Sequence, residues 1–244
     1  MRSYSKTILV FCLASTLGFL SPSAQGASDK KQGSEQKAGS AAKTGSVSKS
    51  GSDSKSDGWH ELFNGKDFTG WKASENTDTF SVMDGKIVAK GKRSHLFYVG
   101  PVNNGKFKDF EWICEIQCKP NSNSGMYFHT EFQDKGWPSK GYEVQINNTH
   151  KDARKTGGLY AVADVMDKSP AKDGEWFTQH VVVKGKHVVV KVNGKVTVDY
   201  TEPEDAQRES RMKDRLISAG TIALQGHDPG SEVHFRSIKV KVLD

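Results

Sequence analysis

The sequence predicts an all-β domain, a two-sheet antiparallel sandwich or jelly roll with one peripheral helix. Three observations predict it. Short apolar runs recur between Gly, Asn and Asp turn residues without alternating with helical periods. Asp84-Gly85 and Asn193-Gly194 each separate two such runs, and both dipeptides favour the tight turn of a β-hairpin. In the clearest runs apolar and polar side chains alternate, as they do along a strand with one buried face.

The 244 residues divide into three parts. Residues 1–26 have the form of a secretory signal: Arg2 and Lys6, an apolar run from Thr7 to Leu20 that is short for a bilayer span, and a small-x-small site at Ala24-Gln25-Gly26. Cys12 lacks the preceding small residues of a lipoprotein signal, so no lipid is expected. Residues 27–57 are Ser, Gly, Lys and Ala with almost no apolar side chains. They cannot bury enough surface to offset their ordering entropy and read as a flexible tether. The folded domain is then 58–244, secreted or periplasmic, with no membrane association once the signal is removed.

Charge excludes a class of partners. The whole chain carries +6, but the signal and the tether carry +2 each, which leaves +2 for 58–244. A nearly balanced domain has no basic footprint for nucleic acid. Cys114 and Cys118 share one face of a strand-like run with Trp112 and Ile116. Four residues of strand span about 13 Å, whereas a disulfide needs Cα atoms within about 7 Å. The pair is expected to be two buried thiols acting as small hydrophobes.

Taken in order, the domain opens with Leu62-Phe63-Asn64-Gly65 and Phe68-Thr69-Gly70-Trp71, loops anchored by aromatics. Phe80 to Val82 and Lys86 to Ala89 flank the first hairpin turn. Phe107 to Lys119 is a long strand. Met126 to Glu131 and Tyr142 to Asn147 are two central strands, and Gly158 to Val162 is another. His180 to Lys184, His187 to Val192 and Val196 to Tyr200 form a meander, and Ile222 to Gln225 and Val233 to Val242 close the sheets. From Glu202 to Leu216 the spacing predicts a surface helix of no catalytic role. Thr201 and Glu204 have capping-box spacing, and Glu204–Arg208 and Glu209–Lys213 are i,i+4 pairs.

The chemistry is expected on the central strands. Tyr127, His129 and Glu131 share one face of the first; Glu143, Gln145 and Asn147 share one face of the second. With Glu115, Gln117, Tyr160, Gln225, His227 and Asp228 they form a polar set poor in Lys, suited to reading sugar hydroxyls and moving protons in a groove. His129, Glu131, Glu143, His227 and Asp228 are types that ligate metals, but none has the spacing of a zinc signature. No metal residue is therefore assigned; a divalent ion is compatible with the sequence and not required by it, so the cofactor is unknown. Asp228-Pro229-Gly230 reads first as a turn.

At these residues the chain resembles a known family. L-F-N-G-K-D-F-T-G-W (Leu62 to Trp71), N-S-G-M-Y-F (Asn123 to Phe128), G-Y-E-V-Q-I (Gly141 to Ile146), T-G-G-L-Y (Thr156 to Tyr160), G-E-W (Gly174 to Trp176), V-N-G (Val192 to Gly194) and A-L-Q-G-H-D-P-G-S (Ala223 to Ser231) fall in the order of the 3-keto-disaccharide hydrolases. The resemblance covers essentially all of 58–244. It implies a concanavalin-like jelly roll, an exported location and a carbohydrate substrate. It points to Asn123, Glu143, Gln145, Tyr160, Gln225 and His227. Where many members have Arg after the N-S-G-x-x-F run, this chain has His129.

The substrate class implies the reaction. A ketone at C3 acidifies the C2 proton; a base removes it, the C1 oxygen leaves by β-elimination, and water adds back. Glu143 and His227 are the catalytic candidates, either as base or as acid. Asn123, His129, Gln145, Tyr160 and Gln225 are the substrate-binding candidates. A carbohydrate-binding module or lectin-like domain is the competing expectation, and a structural adhesion domain a third, since one sandwich hosts all three.

Overall fold

The computed structural model describes residues 57–244. The expected signal, 1–26, and the expected tether up to its last residue lie outside them. The described chain is two packed antiparallel sheets. The first carries, in spatial order, β13 (Lys195–Thr201), β12 (His187–Val192), β11 (Trp176–Lys184), β6 (Phe110–Cys118), β15 (Glu232–Val242), β4 (Lys86–Lys90) and β3 (Phe80–Met83), with β1 (Trp59–Glu61) pairing along β15. The second carries β10 (Ala163–Met166), β9 (Arg154–Leu159), β8 (Tyr142–Ile146), β7 (Ser124–Thr130), β14 (Thr221–Gly226), β5 (Ser94–Tyr98) and β2 (Trp71–Ala73).

Alternation builds the core between the sheets. Phe110, Trp112, Cys114, Ile116 and Cys118 of β6 point inward and are fully buried, against Met126, Phe128, Tyr142, Val144, Ile146 and Leu224 of the other sheet. Burying each large apolar side chain contributes about 1.5–3 kcal/mol, so this two-sided layer dominates the stability. Both cysteines are free and buried; burial pushes the Cys118 thiol up to about 12. The two hairpin turns form as expected, with positive φ at Asp84 and Gly85 and at Asn193 and Gly194. The opening motif is closed by the Trp71 indole, whose Nε1 donates to the Leu62 carbonyl at 2.7 Å.

The expected helix at 202–216 does not form; only Ser210–Met212 makes a single 3-10 turn. Its i,i+4 pairs are each worth only about 0.2–0.5 kcal/mol, and long-range bonds to buried charged groups, about 1.5–3 kcal/mol each, outweigh them. The Glu202 carboxylate accepts from the Tyr142 hydroxyl and the Ile217 amide. Arg208 reaches the Tyr142 and Tyr200 hydroxyls at 2.8 Å and the Arg215 carbonyl at 2.9 Å. Glu204 pairs with Lys186 instead of Arg208. The segment is an irregular strap sewn to the sandwich.

Candidate active site

The outer face of the second sheet holds two transverse rows of side chains. Strand register places Glu143 beside Tyr127, then Ala223 and Phe97, in one row. The next row is Gln145, Gly125, Gln225 and His95. Tyr127, Glu143, Gln145 and Gln225 line a cavity of about 390 Å³. Its other walls are Asn123, Trp137, Asp152, Tyr160 and His227, and the strap residues Arg211, Met212 and Arg215. Six of the seven residues expected at the site, Asn123, Glu143, Gln145, Tyr160, Gln225 and His227, are thus brought together.

The floor is a connected hydrogen-bond network. Gln225 Nε2 donates to the Tyr127 hydroxyl at 2.9 Å and to Glu143 Oε1 at 3.0 Å. Arg215 Nη2 donates to Glu143 Oε2 at 3.2 Å. Gln145 Nε2 donates to Asn123 Oδ1 at 3.1 Å. Burial, and then the Glu143 charge, push the Tyr127 phenol well above its ordinary value, so it stays a neutral donor. Ser124 Oγ donates to the Gln225 carbonyl at 2.7 Å and so staples β7 to β14 beneath the floor. The Tyr160 amide donates to the Glu143 carbonyl, and the Arg154 and Arg215 guanidinium carbons stand 4.8 and 5.2 Å from the Tyr160 ring centre.

The second titratable group stands at the end of β14. His227 Nδ1 meets Asp228 Oδ2 at 2.7 Å, and Ser231 Oγ donates to the same oxygen at 2.8 Å. Ser231 in turn accepts the Asn123 amide. Burial alone would raise the Asp228 carboxyl, but hydrogen bonds from His227, Ser231 and the Gly230 amide hold it below the usual range. Asp228 is therefore both the turn residue the sequence suggested and the anion that orients His227. The His227 ring packs 5.2 Å from Trp137 and 5.9 Å from His150. Trp137 is held over the site by its loop: the Gly136 amide donates to Glu75, and Gln133 Nε2 donates to the Trp137 carbonyl.

His129 is the correction. It does not line the cavity. Its φ is +55°, and β7 bulges there, with Thr130 paired to Thr221 but Tyr127 already paired to Ala223. The bulge breaks the alternation and turns the ring away to stack edge-on with Phe110 and Phe128. Its Nε2 meets the Lys108 carbonyl and its Nδ1 accepts the Ser218 amide, so it serves packing. Gly141 and Gly220, the residues just before β8 and β14, press on this bulge; a Cβ on either would fall within 2.6 Å of the His129 carbonyl carbon. Glu131, beyond the bulge, is exposed and paired with Lys140. Glu115 and Gln117 belong to β6 in the other sheet, bonded to Arg236 and the Gly174 carbonyl. Asn147 braces the following loop through the Asp152 and Arg154 carbonyls. Among the described residues no group of three or more His, Cys, Asp or Glu side chains is placed to hold a metal ion.

With this geometry in place, comparison with known proteins decides the family. The sequence pattern of the 3-keto-alpha-glucoside-1,2-lyase-like domain matches residues 58–241. The chain belongs to this family. A 3-keto-disaccharide hydrolase of Bacteroides thetaiotaomicron is 27% identical over 238 residues, covering 78% of this chain and 80% of that protein. A crystal structure from Parabacteroides distasonis, described as a candidate glycosyl hydrolase, superposes with a TM-score of 0.66 at 27% identity over 78% of this chain and 96% of that one. A galectin-like protein of Bacillus subtilis shares the fold alone, with a TM-score of 0.52 at 11% identity over 75% and 94% of the two chains.

Within the 3-keto-alpha-glucoside-1,2-lyase-like domain, sequence reasoning missed Arg215, Trp137 and His95. Arg215 lay in the segment read as a plain helix, and Trp137 in a polar loop. His95 lies in S-H-L-F-Y, a strand with every residue buried, where alternation gives no signal. Its ring stands edge-on to Tyr127 and Trp137, at 5.3 and 5.6 Å.

Proposed function

We propose that this protein is an exported enzyme that cleaves 3-keto-glycosides, 3-keto-disaccharides among them, by elimination and hydration, with net hydrolysis of the C1–O bond. The observation that carries this reading is one cavity, in a chain of this family, that faces a buried carboxylate, Glu143, toward the same space as a carboxylate-oriented imidazole, His227. A hydrolysis through an oxocarbenium ion pairs two carboxylates about the sugar. Here a histidine stands on the cavity wall with the carboxylates Glu143 and Asp152, a set suited to moving protons on a carbon acid.

Glu143 is the base. Its carboxylate takes the C2 proton; the C2–H electron pair becomes the C2–C3 bond of an enolate, and the ketone oxygen carries the charge. Collapse of the enolate restores the C3 ketone, forms the C1–C2 double bond and breaks C1–O1. His227 is the acid: its ring, held through Nδ1 by Asp228, gives a proton to the departing O1. Water then adds across the double bond, hydroxyl to C1 and proton to C2. Gln145, Asn123, Gln225, Tyr127 and Tyr160 supply fixed donors and acceptors to the hydroxyls, and Trp137 supplies an apolar wall to a sugar face. Export rests on the signal-like residues 1–26 and gives a secreted or periplasmic enzyme.

The two roles separate by leaving group. Glu143→Gln is expected to abolish release of any leaving group from a 3-keto-glucoside. His227→Ala is expected to cost about 10²–10⁴-fold for a sugar leaving group and far less for nitrophenolate, which departs without a proton. Full activity of Glu143→Gln contradicts the assignment.

A further inference from the structure

Arg215 sits at the back of the cavity and is 8% exposed. Its Nη2 donates to Glu143 Oε2 at 3.2 Å. Its Nη1 is buried and has no hydrogen-bond partner among the described residues. A guanidinium nitrogen left unbonded away from water is costly, and this one belongs to a fixed planar fork whose other arm is already committed. The strap holds the side chain's own backbone in place, because Arg208 Nε donates to the Arg215 carbonyl at 2.9 Å and the Arg215 amide donates to the Met212 carbonyl. Arg215, which lines the cavity, therefore carries a buried and unpaired cationic donor beside the carboxylate read as the base.

We infer that Arg215 is a catalytic residue whose Nη1 receives the C3 oxygen of the substrate as that oxygen becomes an enolate. The inference rests on the reading of Glu143 as the C2 base. Removing a proton from C2 places negative charge two bonds away, on the oxygen at C3, so base and charge acceptor must be neighbours. Glu143 and Arg215 are such neighbours, joined by the Nη2 contact. A preorganised donor aimed at the developing charge strengthens its bond only in the transition state, which is where it lowers the barrier. The ion pair has a second consequence. The guanidinium faces the Glu143 carboxylate before proton transfer and the substrate oxyanion after it, as the carboxyl turns neutral. The net charge of the carboxylate, guanidinium and substrate stays constant through proton transfer.

The test isolates enolisation from bond cleavage. The 3-keto derivative of 1,5-anhydroglucitol carries the ketone but no leaving group at C1, so base action appears only as exchange of the C2 proton in D₂O, followed by proton NMR. Wild-type protein is expected to catalyse the exchange. Arg215→Lys keeps a positive charge against Glu143, and therefore the fold, but lacks the second arm. It is expected to exchange about 100-fold more slowly, with the dissociation constant for the unoxidised disaccharide changed less than about threefold. Arg215→Ala is expected to lose more and to recover in part when guanidinium ion is added. Exchange by Arg215→Lys within about threefold of wild type overturns the inference, as does a loss of disaccharide binding that accounts for the whole loss of rate. Wild-type protein that releases sugar from a 3-keto-disaccharide but does not exchange the C2 proton overturns the C2-base reading itself, and the inference with it.

Discussion

The Glu143 side chain lies across Gly125 of the neighbouring strand, so closely that a Cβ on Gly125 would stand 2.6 Å from Oε1 and 2.9 Å from Cγ. Gly125 is directly opposite Gln145 in the register, so the absence of its side chain opens the floor at the point where the carboxylate must lie flat. The glycine of N-S-G-M-Y-F is thus a requirement of the site, not of the turn, and its φ is not in the left-handed region.

Gly125→Ala is therefore expected to fold and to displace the carboxylate. A shift of about 1 Å in a reacting group costs on the order of 100-fold, so kcat should fall by roughly that factor while the melting temperature changes little. Steady-state kinetics with a 3-keto-disaccharide and a thermal melt check both halves. A variant with wild-type kcat contradicts the placement of Glu143 as base.

Asp228→Asn removes the carboxylate that orients the His227 ring while keeping a side chain of the same shape at the turn. Release of a sugar leaving group should fall about 10²-fold or more, and release of nitrophenolate much less. Equal losses for both leaving groups would show that Asp228 serves only the loop.

His95 predicts a pH dependence of stability. Burial, with help from the Arg93 charge, pushes its imidazole down to about 3, against about 6.5 when unfolded. The unfolded chain therefore binds the extra proton between these values. The stability from neutral His95 is fully present above about pH 6.5 and is lost as pH falls toward 3, by about 1.4 kcal/mol per unit. At pH 5 the loss is about 2 kcal/mol. Both ring nitrogens lack partners among the described residues, so His95→Leu should remove this slope without loss at pH 7. Denaturant unfolding at pH 7 and pH 5 measures it; parallel slopes in the two proteins contradict the assignment.

The same residues show how far the sequence could be read. Strands with one buried face were legible: G-Y-E-V-Q-I places Glu143 and Gln145 together on the cavity side as alternation requires. His129 was not, because one bulged residue reverses every face after it, and nothing local in Y-F-H-T announces the bulge. It is accompanied by the close approach of Gly141 and Gly220, distant in sequence and lying just before β8 and β14. The strap failed for a related reason. Its capping box and charge pairs are local and weak, whereas Glu202, Arg208 and Arg215 are held by Tyr142, Tyr200 and Glu143, up to 72 residues distant in sequence. Arg215 was missed because its function is visible only beside Glu143.

The most direct measurement follows release of the leaving sugar from a 3-keto-disaccharide and from its unoxidised parent, using the purified protein with and without added divalent metal. Release is expected from the keto compound alone, with none from the parent, because only a C3 ketone makes the C2 proton removable. Release from the parent at a comparable rate, or from neither compound by folded protein, would contradict the proposed reaction.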